Sequence, residues 1–201
     1  MKKYKFTGEK REYRHDWETV VLRRIRAVRN FGSVKKGDVG GWIEGEDNLS
    51  HEGDAWVSGD ACIFGRTQVY GDAWIYGNAQ VYGTARVFGD AWVFGNAKVY
   101  GDARVSGDAM VYGNAIVYKS AIISGAVKIY DTAWVCGHAY ISGKAEIFGD
   151  AWVFGNAEVF DDAQVAGNAW VCGNARICGG AVIHGKALVS EGIRINGGER
   201  T

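Results

Sequence analysis

VYGTAR at residues 81–86, VFGDAW at 87–92 and VFGNAK at 93–98 are three copies of one six-residue unit, which repeats without a gap from Val57 to Arg194. All 23 first positions in that span are Val or Ile, the third is Gly in 19 and the fifth is Ala in 20. A repeat this strict describes a solenoid, in which each unit buries its apolar side only against its neighbours. Within a unit such as Ala79-Gln80-Val81-Tyr82, small and branched residues alternate with larger ones, the period of a short strand with one buried face. Glycine then permits a corner at positive φ. Asp or Asn follows it in 13 of the 23 units, side chains that bond nearby backbone.

The number of sides follows from a longer period. Trp56, Trp74 and Trp92 recur at every third unit, Met110 continues that column, and Trp134, Trp152 and Trp170 repeat the same spacing. Three units therefore make one turn, and the expected fold is all-β: a single-stranded, three-sided parallel β-helix built from an 18-residue coil. The 138 residues from Val57 to Arg194 make 138/18, about 7.7 coils, and a rod of roughly 37 Å at the spacing of paired strands. Residues 1–56 read as an irregular basic cap with entrance coils, 57–194 as the β-helix and 195–201 as a frayed tail.

The motif GDAWV and its relatives resemble the hexapeptide-repeat, left-handed parallel β-helix proteins. The run GGWIEGEDNLSHEGDAWV from Gly40 to Val57 resembles the entrance segment of a bacterial and phage-borne branch of that group, labelled polymer-forming or putative transferase. The left-handed sense is implied by this resemblance alone. So is the main enzymatic alternative, because many such proteins are acyltransferases or metal-dependent carbonic anhydrases. Those enzymes interrupt their coils with an excursion loop and place histidines in clefts between subunits. Here no insertion breaks Val57 to Arg194, and His15, His51, His138 and His184 are scattered. A general base needs a nucleophile within hydrogen-bond reach, and zinc usually needs three protein ligands. The reading assigns no catalytic residue, metal or cofactor.

Composition narrows the remaining classes. The absence of proline suits uninterrupted ladders, and no 18-residue apolar run or secretory leader is visible, so a cytoplasmic, non-membrane protein is expected. Cys62, Cys136, Cys172 and Cys178 all fall on outward positions and read as free thiols of a reducing compartment. The net charge of zero hides an asymmetry. Residues 1–40 hold 12 Lys or Arg against 5 Asp or Glu, and residues 41–201 hold 11 against 18, so +7 is joined to −7. Thr19 to Phe31 reads as a strand or strand pair, and Gly40 to Trp42 as a tight turn into the rod. Arg23, Arg24, Arg26, Arg29, Lys35 and Lys36 form a basic cap surface, although the acidic rod argues against nucleic acid along its length.

The outward residues carry the functional expectation. Sorted by the three-unit period, Trp56, Trp74, Trp92 and Tyr112 fall on one face, Trp134, Trp152 and Trp170 on a second, and more polar residues on the third. Aromatics stabilise strand ladders, but a contiguous apolar patch beyond a few hundred Å² marks a contact surface. These seven residues are therefore the expected binding surface of a non-catalytic structural or interaction protein, a homo-oligomer (dimer or trimer) or the partner of another protein. A flat Trp row also suits carbohydrate, yet no polar constellation beside it is legible.

Overall fold

The coordinates are a computed structural model that describes residues 1–15 and 18–201. The six-residue units form short strands joined by tight corners, and each strand of the rod pairs in parallel with its equivalent one coil on, as Trp74 with Trp92 and Ile75 with Val93. Among the described residues three sheets of eleven, nine and eight strands result. The first carries Cys62, Gln80, Lys98, Ile116, Trp134, Trp152, Trp170 and Leu188 outward, the second begins Trp56, Trp74, Trp92, Met110, and the third begins Gln68, Arg86, Arg104. Along the ladders a backbone N–H donates to a carbonyl of the next coil, as Trp74 N–H does to Ala91 at 2.9 Å. The chain is thus a three-sided β-solenoid of about nine coils, in agreement with the period of three units per turn.

Val, Ile and Ala of the first and fifth positions fill the interior and are fully buried from Ala73 to Ala181. The corners have left-handed backbone, with Gly113 at φ +69°. The four units that lack the corner glycine keep the same conformation: Lys119, Asp131, Asp161 and Glu191 lie at φ +58°, +56°, +59° and +55°. The coil geometry is therefore imposed by stacking, and these four residues carry a backbone strain that glycine avoids.

The cap is more regular than its composition implies. Strand β1 (Tyr4–His15) and strand β2 (Glu18–Ala27) form an antiparallel hairpin that extends the first sheet beyond β3 (Val39–Ile43). Gly40 and Gly41, read as a turn, instead lie inside β3. A Cβ on Gly40 would come within 2.6 Å of Ile25 Cγ1 and 2.7 Å of Trp56 Cζ2, so the glycines serve close packing here. Tyr4, Ile25, Ala27, Phe31 and Val34 join the buried cluster of the rod and close its end.

Side chains complete the ladder where the first coil offers no backbone donor. Asn48 donates from Nδ2 to the carbonyls of Gly65 and Thr67 at 2.9 and 3.1 Å, and Lys3 donates from Nζ to those of Gly53 and Glu52 at 3.2 and 3.4 Å. Both residues are buried, and burial lowers the Lys3 ammonium to about 8. At the other end, residues 195–201, expected to fray, continue the coil: Ile195 pairs with Ile177 and Arg200 with Ile183.

Candidate interaction surfaces

Stacking equivalent positions sets like side chains one above another, and aromatic residues use this to form columns. Tyr76, Phe94, Tyr112, Tyr130 and Phe148 stack with centroids 4.7 to 5.0 Å apart and planes within 5° of parallel. Phe64, Tyr82, Tyr100 and Tyr118 make a second column, which ends edge-on against Trp134 at 6.0 Å. Offset stacking of this kind stabilises a parallel ladder without a partner. Tyr112 belongs to such a column, half-buried between Phe94 and Tyr130. Burial, with Glu146 adding its charge, raises the Tyr130 phenol to about 12.

The tryptophans expected on the binding surface divide into three situations. Trp56 is 2% exposed, covered by Tyr4 and Phe31 at 6.4 and 5.4 Å, and is thus part of the cap contact and withdrawn from the solvent-facing surface expected of it. Trp134, Trp152 and Trp170 stack at 4.8 and 5.6 Å on the first sheet. Exposure rises down this column, from half-buried Trp134 and Trp152 to 47% at Trp170 and 61% at Leu188 on the last coil. Trp74, Trp92 and Met110 line the second sheet, with Trp92 45% exposed.

A wall of carboxylates runs beside this last row. One trough of about 410 Å³ is lined by Gly32, Ser33, Asp54, Asp72, Trp74, Asp90 and Trp92. A second of about 480 Å³ continues it with Asp90, Trp92, Asp108 and Met110. The Trp row therefore has the polar neighbour that its sequence does not make legible. The signal lies in the repeat itself: Asp72, Asp90 and Asp108 each sit two positions before Trp74, Trp92 and Met110, and one corner column collects them.

The basic residues also separate. Arg23, Arg26, Lys35 and Lys36 are exposed, whereas Arg24 and Arg29 turn partly inward. Arg24 and Arg11 flank the Trp42 ring at 5.1 and 4.4 Å. Lys5 and Lys10, absent from the sequence-based surface, lie exposed opposite Arg26 and Arg23 across the hairpin. All four cysteines are free; Cys62 and Cys136 face outward in the repeat but are buried by neighbouring side chains, and burial pushes the Cys62 thiol up to about 11.

The histidines stay apart in space as well as in sequence. His51 stacks on Tyr4 at 4.3 Å within the cap, and His184 Nε2 lies 2.5 Å from Glu199 Oε1 on the last coils. Among the described residues no group of three His, Cys, Asp or Glu has the arrangement of a metal site. Among them, too, no helix is long and apolar enough to cross a membrane.

The repeat family described as YdcK Beta solenoid repeat matches residues 67–83, 79–95, 109–125 and 169–185, each about one coil. The chain is also similar to the protein of Escherichia coli (strain K12) described as "Uncharacterized acetyltransferase YdcK", 34% identical over 80 residues, with 34% of this chain and 24% of that protein covered. The chain thus matches about a quarter of that relative's length.

Proposed function

We propose that this chain is a non-catalytic interaction rod that joins copies of itself, or a protein partner, through its aromatic strips. The observation that carries the reading is the contiguous indole column Trp134–Trp152–Trp170, in which Trp170 is 47% exposed. Ladder stability alone explains stacked rings; it does not call for indoles as large as Trp92 and Trp170 to stand nearly half exposed in contiguous rows. Trp and Tyr anchor protein contacts because they combine a large apolar surface with a polar tip. Trp74 and Trp92 supply a second strip on another face. The reading includes a bacterial or phage setting, the cytoplasm as compartment and the left-handed coil sense implied by hexapeptide-repeat resemblance.

Acyl transfer is the second reading, favoured by the description of the Escherichia coli relative. In that case the catalytic groups would meet between subunits, with His138 or His184 as the base. Melting experiments separate the two readings. An assembling rod melts at higher temperature as protein concentration rises, because association stabilises the folded chain by mass action. We expect that dependence, and no change on adding acetyl-CoA. A melting temperature independent of concentration and raised by acetyl-CoA would replace the interaction reading with the enzymatic one.

A further inference from the structure

We propose that the basic hairpin of one copy docks in the acidic tryptophan trough of a second copy, a contact separate from the Trp134–Trp170 strip. The trough is apolar in its floor and anionic along one wall. Trp74, Trp92 and Met110 form the floor, and Asp72, Asp90 and Asp108, all exposed, stand beside it at successive corners. Stacked coils put these carboxylates at intervals of about 4.8 Å. Among the described residues none of the three forms an ion pair. Such a surface fits cationic side chains with apolar stems, whose charges meet the carboxylates while the stems or a guanidinium face lie on indole.

The hairpin presents that chemistry as two opposed cation pairs, one on each face because Arg23 and Arg26 are three residues apart, and either pair spans about the carboxylate interval. Lys5 lies directly opposite Arg26, and Lys10 opposite Arg23. All four are exposed, and among the described residues none is ion-paired. Directly opposed residues in an antiparallel pair have Cβ atoms about 5 Å apart, and like charges there destabilise the hairpin. No ion pair among the described residues offsets that repulsion within the copy. The carboxylate wall of a neighbour does, and the division of a neutral chain into +7 and −7 parts gives each copy both halves of the contact. Hairpin-to-trough contact is heterologous, so it continues as a chain of copies unless the rotation closes.

Complementation tests this directly. One full-length variant carries Asp72→Asn, Asp90→Asn and Asp108→Asn; another carries Lys5→Gln, Lys10→Gln, Arg23→Gln and Arg26→Gln. Mass is measured by light scattering at about 50 and about 500 mM salt, the higher level screening contacts between exposed charges. We expect wild-type association to weaken at least tenfold at high salt, each variant alone to lose that salt-sensitive part, and an equal mixture to recover it as a one-to-one pair. Recovery follows because the first variant keeps its hairpin and the second its trough. Circular dichroism checks folding, and the single change Asp90→Asn gives the same loss on a smaller scale if the triple variant is unstable. Association insensitive to salt, unaffected by either variant or not restored by mixing overturns the proposal. So does a wild-type chain that stays at 21.8 kDa at low salt. Loss of association in Trp152→Ser with the salt-sensitive part intact would concern the strip alone.

Discussion

The indole rings of Trp134 and Trp152, one coil apart, lie 4.8 Å centroid to centroid and 2° from parallel. That distance is the spacing of neighbouring strands, so the backbone ladder itself sets the contact. The same register that makes the rod stable makes its surface repetitive. A residue type placed once per coil becomes a stripe.

Trp152 sits between two other indoles, and its removal separates ladder stability from association. Trp152→Ser is expected to lower unfolding stability by about 1 to 2 kcal/mol, through lost stacking and partial burial. Urea denaturation at a concentration where the chain is monomeric measures this. Retained circular dichroism with a loss of this size is the expected outcome; collapse of the fold would mean that the column acts as core.

Corner strain gives a second prediction. Lys119 lies at φ +58°, where glycine has no steric penalty, so Lys119→Gly should raise stability by about 0.5 to 1 kcal/mol despite the greater freedom of glycine in the unfolded chain. Asp131→Gly should gain less, because Asp131 Oδ2 accepts the Gly149 N–H at 3.1 Å. Gly107→Ala should be destabilising, since its Cβ would meet Gly125 N at 2.7 Å. Denaturant midpoints of the three variants give the order.

The rod's period, its three sides and its interior were all legible in the residues from Val57 to Arg194, because Val, Ala and Gly each have one role in a six-residue unit. The ends were not. Gly40 and Gly41 resemble a turn in sequence, but they are in a strand because Ile25, Trp56 and Val57 pack where their side chains would be. Trp56 has the spacing of an exposed residue and is covered only because Tyr4 and Phe31 return from the cap, a contact no local pattern encodes. Asp72, Asp90 and Asp108 were visible as corner residues. Their place beside Trp74, Trp92 and Met110 needed the corner geometry.

Asn48 tests the closing of the first coil. Its Nδ2 group donates to the Gly65 and Thr67 carbonyls where no preceding coil supplies a backbone donor. Asn48→Ala should cost about 2 to 3 kcal/mol, the penalty of leaving buried acceptors without a donor. Hydrogen exchange should show earliest opening in the coil containing Gly65 and Thr67, with the central coils still protected.

Lys3 predicts a pH dependence. Its pKa is lowered from 10.5 to about 8 in the fold, so above pH 8 the folded chain releases a proton that the unfolded chain retains. The unfolded state then binds more protons, and stability rises with pH. From about pH 9 upward the Cys62 thiol, held up to about 11, acts oppositely, since it ionises first in the unfolded chain. Tyr118 and Tyr130, both raised to about 12, extend the decline above pH 10. Stability should increase by about 1 kcal/mol between pH 8 and 9 and fall beyond 10. Lys3→Met should abolish the rise, and Cys62→Ser should delay the fall.

The central claim, that the Trp134–Trp170 strip joins chains, is tested most directly by absolute mass from light scattering on a size-exclusion column. High salt suppresses charged contacts, and two protein concentrations are compared for wild type and for Trp152→Ser with Trp170→Ser. The account predicts a wild-type mass at a multiple of 21.8 kDa and a folded variant at 21.8 kDa. A wild-type chain at 21.8 kDa at both concentrations, or a variant that keeps the wild-type mass, would contradict it.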